Sequence, residues 1–243
     1  MNLYFVVEGL RTEVQVYQSW LKLRRPKMKR VYDVSGGSAP GDDNYYMIVG
    51  HGYPCYLRRI KAAVDDIVDN PGRYDALIIC VDTEEGYTLD EKKEEIEALL
   101  APLPETCRGY AIIAQVCIET WFLGNRCFYK RFPEGEELRR FQEHYDVSKL
   151  CPEGMPALTG LTRATFHKDY FRLLCRERKT TYSKRKDGAK VVCEKAFLEA
   201  IRARRRETGH LESLETLEVA FRELGLWGDR GGLRCARGVS SGN

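Results

Sequence analysis

Residues 76–88 read ALIICVDTEEGYT, six apolar residues closed by an aspartate and two glutamates. ALIICV carries no polar residue at either parity, which predicts a strand buried on both faces, as in the middle of a parallel sheet covered by helices. A charged helix, DEKKEEIEALL, follows, and Pro102 and Pro104 end it. The same alternation extends in both directions. LYFVV (3–7), RVYDV (30–34), YYMIV (45–49) and YAIIAQVCI (110–118) read as further strands. Helices are expected over about 13–24, with Thr12 as cap and Gln15 as its capping-box partner, and over about 54–70, stopped at Asn70-Pro71-Gly72. SGGSAPGDDN (35–44) is a loop by composition. Strands alternating with helices imply βαβ units, hence an α/β fold with a mostly parallel sheet.

From about residue 134 the pattern turns helical and charged. The expected organisation is a core over 1–130, a basic helical C-terminal lobe over 131–227 packed on it, and a flexible tail over 228–243. A chain of 243 residues, 43% of them hydrophobic, can bury a substantial core. Its apolar runs fall far short of the roughly 20 residues that span a bilayer, and the N-terminus has no basic segment ahead of an apolar one. These features predict a soluble, cytoplasmic protein without membrane contact. The nine cysteines form no CxxC pair and total an odd number, which argues against zinc clusters or a disulfide framework. The four histidines are scattered, and no GxxxxGK[ST] or GxGxxG loop is present.

Net charge is only +3, but residues 163–206 hold 15 Lys and Arg against five Asp and Glu. KLRRPKMKR (22–30) adds six more basic residues. Nucleic acid is a natural partner for such a surface, with solvated helix faces as the plain alternative. Phe166, Tyr170, Phe171 and Tyr182 interleave with these charges; they can stack on unpaired bases, although the i, i+4 spacing of Phe166 and Tyr170 favours a helix core.

Carboxylates follow three of the expected strands: Glu8 after LYFVV, Asp82 and Glu84 after ALIICV, and Glu119 after AIIAQVCI. In an open parallel sheet these ends form the rim where ligands bind. Acidic groups gathered there repel one another unless a cation neutralises them. Oxygen ligands suit Mg²⁺ or Mn²⁺ rather than zinc. Taken singly, each carboxylate also has a local role open to it, as helix cap, dipole partner or ion pair.

VVEGLRTEVQVY resembles the first motif of Toprim domains, in which a glutamate ends the first strand and a glycine lets the backbone turn. The spacing is most similar to that of compact RloB-like Toprim nucleases of bacterial defence loci. VDTEE takes the place of the family's Asp-x-Asp motif, with Glu84 where a second aspartate is usual. QVCIETWFLGN resembles a segment carrying Glu119 and Trp121, with Asn125 in place of a His or Asp. TYSKRKDG (181–188) is similar to a Tyr-x-Lys motif that would make Lys184 a phosphate contact.

The resemblance implies a metal-dependent nuclease cleaving RNA, such as tRNA, or DNA. It further implies an effector of antiphage defence, working beside an ATPase encoded nearby. Glu8 would then act as metal ligand or general acid/base, Asp82 and Glu84 as ligands, and Glu13 and Glu119 as ligands that could hold a second ion. Lys184 would steady charge on the phosphate. Arg176, Arg178, Lys179, Lys184, Arg185 and Lys186 would contact the nucleic acid. A Toprim-like shell that binds nucleic acid or a partner without turnover is the alternative.

Overall fold

The computed structural model describes residues 1–32, 43–185 and 187–227. Most of the expected 35–44 loop, Lys186 and the expected 228–243 tail lie outside the described residues. Five strands, β1 (Asn2–Val7), β2 (Lys29–Val31), β3 (Asn44–Val49), β4 (Ala76–Asp82) and β5 (Arg108–Ala114), form one all-parallel sheet in the order β2-β3-β1-β4-β5. β1 lies at its centre, and Val7 pairs with both Val49 and Cys80. The carboxyl ends of β1, β3 and β4 therefore finish side by side.

Alternation along the strands feeds two cores. Leu3, Phe5, Val7, Ile78, Cys80, Ile112 and Ala114 face α1 (Thr12–Arg24) and the C-terminal helices. Tyr4, Val6, Leu77, Ile79, Val81 and Ile113 face α2 (Cys55–Asp69) and α3 (Leu89–Leu100). The absence of polar residues in ALIICV follows from this double coverage. α4 (Ile118–Phe122), α5 (Glu136–His144), α6 (Arg163–Glu177), α7 (Lys195–Thr208) and α8 (Leu214–Glu223) complete the first layer. α8 packs on β5, where Thr216 Oγ1 accepts the Ile113 N–H. Trp20 of α1 stacks at 6.5 Å on Trp121 of α4 and donates its indole N–H to Val192 O. Among the described residues no helix is long and apolar enough to cross a membrane, and eight cysteines are unpaired.

Two local expectations are corrected. Thr12 does not cap α1: Arg11 holds that position without a side-chain cap bond, and Thr12 is the buried first residue of the helix. The strand expected over 110–118 ends at Ala114. There Thr83 intervenes: its N–H binds Ala114 O, and its hydroxyl accepts the Val116 N–H at 2.8 Å. Val116 is turned to φ 69, a conformation costly for a β-branched residue, and the chain re-forms as α4. Glu119 consequently sits on the first turn of a short helix instead of at a strand end.

Candidate active site

Backbone register brings the first two carboxylates together. Glu8 follows β1 and its N–H donates to Cys80 O at 2.9 Å; Asp82 closes β4 and its N–H donates to Glu8 Oε2 at 2.9 Å. Glu84 adopts φ 67, which turns its carboxyl into a hydrogen bond with that of Glu8. Burial and then Glu84 push the Glu8 pKa up to about 8. Asp82 is raised well above the carboxylate range by loss of solvent and by the charges of Glu8, Glu13 and Glu119.

Glu13 comes from the first turn of α1 and folds back over the β1–α1 turn. A Cβ at Gly9 would meet the end of its carboxylate, so the glycine in VVEGL leaves room for that carboxylate to lie over the turn, and a larger residue there would displace it. Burial raises the Glu13 pKa, Lys184 partly offsets this, and Glu119 adds to it.

The opposite wall comes from the segment after α6, which returns between α1 and α4. Ala189 N–H binds the Gln15 side chain at 3.2 Å, and Tyr182 packs edge-on against Phe122 and Phe171. Ser183 and Gly188 close a tight turn, with Ser183 N–H on Gly188 O at 2.9 Å; a side chain at 188 would strike Ser183. This turn presents Lys184. Glu119, 0% exposed, accepts from Tyr182 O–H at 2.8 Å through Oε1, which also lies 3.3 Å from Lys184 Nζ. Its buried Oε2 has no hydrogen-bond partner among the described residues. Burial alone would depress Lys184, but Glu119, Glu13 and Asp82 overcome it and hold the ammonium above its ordinary pKa.

Among the described residues, Glu8, Glu13, Asp82, Glu84, Glu119 and Lys184 thus form one linked set of five carboxyls and one ammonium. Among the described residues, however, no three Asp, Glu, His or Cys side chains stand at a spacing that holds an ion as arranged. The donors are hard oxygens, the charge is in excess, and one buried carboxylate oxygen is unsatisfied. In donor chemistry and charge the set fits a divalent cation; it is not preassembled around one, and an ion would have to draw the side chains together.

Other expected residues are placed differently. Arg178 directs its guanidinium to the carbonyls of Phe128 and Tyr129, the latter at 2.6 Å, and so ties the chain together. Arg176 is exposed and lies 3.9 Å from Glu137, while Lys179 and Arg185 are exposed. Arg202 and Arg205 pair with Glu199, Glu215 and Glu218, and Arg204 is buried on the carbonyls of Val147 and Leu150, so these three arginines of the basic run are engaged within the fold. Phe166, Tyr170, Phe171 and Tyr182 are core residues, which removes them as stacking surfaces. Asn125 accepts the Cys127 N–H and caps a short 3₁₀ turn.

The sequence reading missed Thr83 as the residue that turns the chain toward Glu119, and Tyr182 as a partner of that carboxylate. No local pattern signals the first; the Tyr-x-Lys pair was the available sign of the second. No family model, curated protein or solved structure matches the chain.

Proposed function

We propose that the chain is a Toprim-like nuclease that cleaves nucleic-acid phosphodiester bonds with the help of Mg²⁺ or Mn²⁺. One observation carries the reading: carboxyls from the end of β1, from α1, β4, its following loop and α4 are linked at the carboxyl ends of the strands to Lys184, five acidic groups to one lysine among the described residues. Glu8, Asp82 and Glu84 would hold the ion, with Glu13 and Glu119 as further ligands. When bound, it polarises the phosphate and lowers the pKa of water.

The chain's own groups supply the rest. Glu8 would serve either as a ligand or, with the ion held by the other carboxyls, as the group that takes a proton from the attacking oxygen or delivers one to the leaving oxygen, held in place by the Asp82 N–H. Lys184 stands where it can meet charge that develops on the phosphate, and Tyr182 keeps Glu119 oriented beneath it. Arg176, Lys179 and Arg185 are exposed phosphate contacts on the α6 side. A role in antiphage defence, with release by a neighbouring ATPase, rests on the resemblance of VVEGLRTE, VDTEE and IETW alone.

The lack of a preassembled ligand trio favours a second reading, a Toprim-like binding module without turnover. The two separate in one assay. Purified protein should degrade labelled RNA or DNA oligonucleotides in Mg²⁺ or Mn²⁺ but not in EDTA, and Glu8→Gln or Asp82→Asn should lower the rate at least a hundredfold. Cleavage undiminished in both variants would sink the site assignment.

A further inference from the structure

On the α2 and α3 side of the carboxylate edge, two loops carry an exposed aromatic pair. Gly52 N–H donates to Glu8 O, and Tyr53 is the next residue; Tyr87 stands three residues beyond Glu84. Both loops contain a non-glycine residue in the left-handed region, His51 at φ 66 and Glu84 at φ 67. Strained backbone of this kind is retained where the surrounding structure fixes it for a purpose. The two rings lie 6.2 Å apart at 56°, with their hydroxyls 3.3 Å apart, and the residues are 45% and 37% exposed.

Beneath them lies Lys92, whose side chain is fully buried. Its ammonium is 4.1 Å from the Tyr87 ring centre and 5.0 Å from that of Tyr53, and it donates to the Tyr56 hydroxyl at 3.0 Å and to Glu95 Oε2 at 2.7 Å. The inner side of this aromatic cage is therefore filled by the chain's own cation, which excludes a second ammonium as its ligand. What remains available is the outward ring surface, braced from behind and bordering the backbone of Glu8.

We propose that Tyr53 and Tyr87 form a stacking platform for an unpaired nucleobase, so that the substrate is single-stranded or locally melted nucleic acid. The inference rests on the nuclease reading and adds the substrate class. Lys184 lies across the edge on the α1 side, where the Ser183–Gly188 turn presents it. A strand crossing the edge from the α1 side would carry its phosphates past Lys184 and its unpaired bases toward the tyrosines. Base pairing in a duplex would keep that face within the stack. Aromatic stacking tolerates any base, so the platform selects for strandedness and not for sequence.

The test measures binding of a labelled dT12 or U12 oligonucleotide, and of a 12-base-pair duplex, by fluorescence anisotropy in EDTA, where cleavage does not intervene. The full chain carries Tyr53→Ala, Tyr87→Ala, both, or Tyr53→Phe with Tyr87→Phe. The alanine variants should weaken single-strand binding by roughly tenfold or more, leave duplex binding within twofold, and stay folded by circular dichroism, although loss of the rings over Lys92 lowers their melting temperature. The double phenylalanine variant should keep its affinity. Single-strand binding unchanged by the double alanine variant, or single-strand and duplex binding weakened equally, overturns the platform even if the wild type cleaves. Single-strand binding lost in the alanine variants of a protein that cleaves nothing upholds the platform and removes the nuclease reading instead.

Discussion

The backbone N–H of Asp82 donates to Oε2 of Glu8 at 2.9 Å, so the last residue of β4 and the first residue after β1 are tied together by the register of neighbouring parallel strands. This bond favours ionised Glu8, while burial and the Glu84 carboxyl oppose it more strongly. The edge is consequently a place where negative charge is held at a cost to the fold.

That cost has a pH signature. The Glu8 pKa is raised in the folded state, which therefore binds more protons than the unfolded chain between about 4.5 and about 8. Its contribution to stability is present below that window and is lost as pH rises through it. In EDTA the midpoint of thermal unfolding should fall between pH 5.5 and pH 8, Glu8→Gln should flatten the slope, and millimolar Mn²⁺ should restore the wild type at pH 8. An identical slope in wild type and Glu8→Gln would count against the carboxyl pair.

A second prediction concerns Tyr182. Its hydroxyl is one of two groups that engage the fully buried carboxylate of Glu119, the other being Lys184. Tyr182→Phe keeps the ring against Phe122 and Phe171 but removes the donor, at a cost of about 1–3 kcal/mol. Urea unfolding in EDTA should show this loss. Unaltered stability would mean that Glu119 finds another donor.

His167 provides a test of the packing between α4 and α6. It is buried between Thr120 Oγ1 at 2.7 Å and Met155 O at 3.3 Å, and burial lowers its pKa from 6.5 to about 4. The unfolded chain binds more protons between these values, so His167 contributes stability that is present above about pH 6.5 and lost as pH falls toward 4. Complete loss amounts to roughly 3 kcal/mol. Urea unfolding at pH 7 and pH 4.5 should show a smaller acid loss for His167→Gln than for the wild type. Equal acid losses would place the acid sensitivity elsewhere.

How much of this was legible in the sequence depended on the range of the forces involved. LYFVV, YYMIV and ALIICV announced buried parallel strands because double-sided burial leaves a local apolar run. Glu119 was misplaced because the strand before it ends through the hydroxyl of Thr83, from a different strand end, acting on Val116. That Arg202 and Arg205 of the basic run are held within the fold was not legible, because their partners Glu215 and Glu218 lie on the next helix and no spacing rule pairs them. Tyr53 and Tyr87 sit 34 residues apart, and only the adjacency of β3, β1 and β4 brings their loops to one edge.

The most direct measurement of the central claim is calorimetric titration of Mn²⁺ into the wild type, Asp82→Asn and Glu8→Gln, with Glu105→Gln as an exposed control. The account predicts saturable uptake by the wild type and the control, with protons released in proportion to the raised pKa of Glu8 and Asp82, and uptake weakened at least tenfold in both site variants. Absence of uptake by the wild type, or equal uptake by all four proteins, would contradict it.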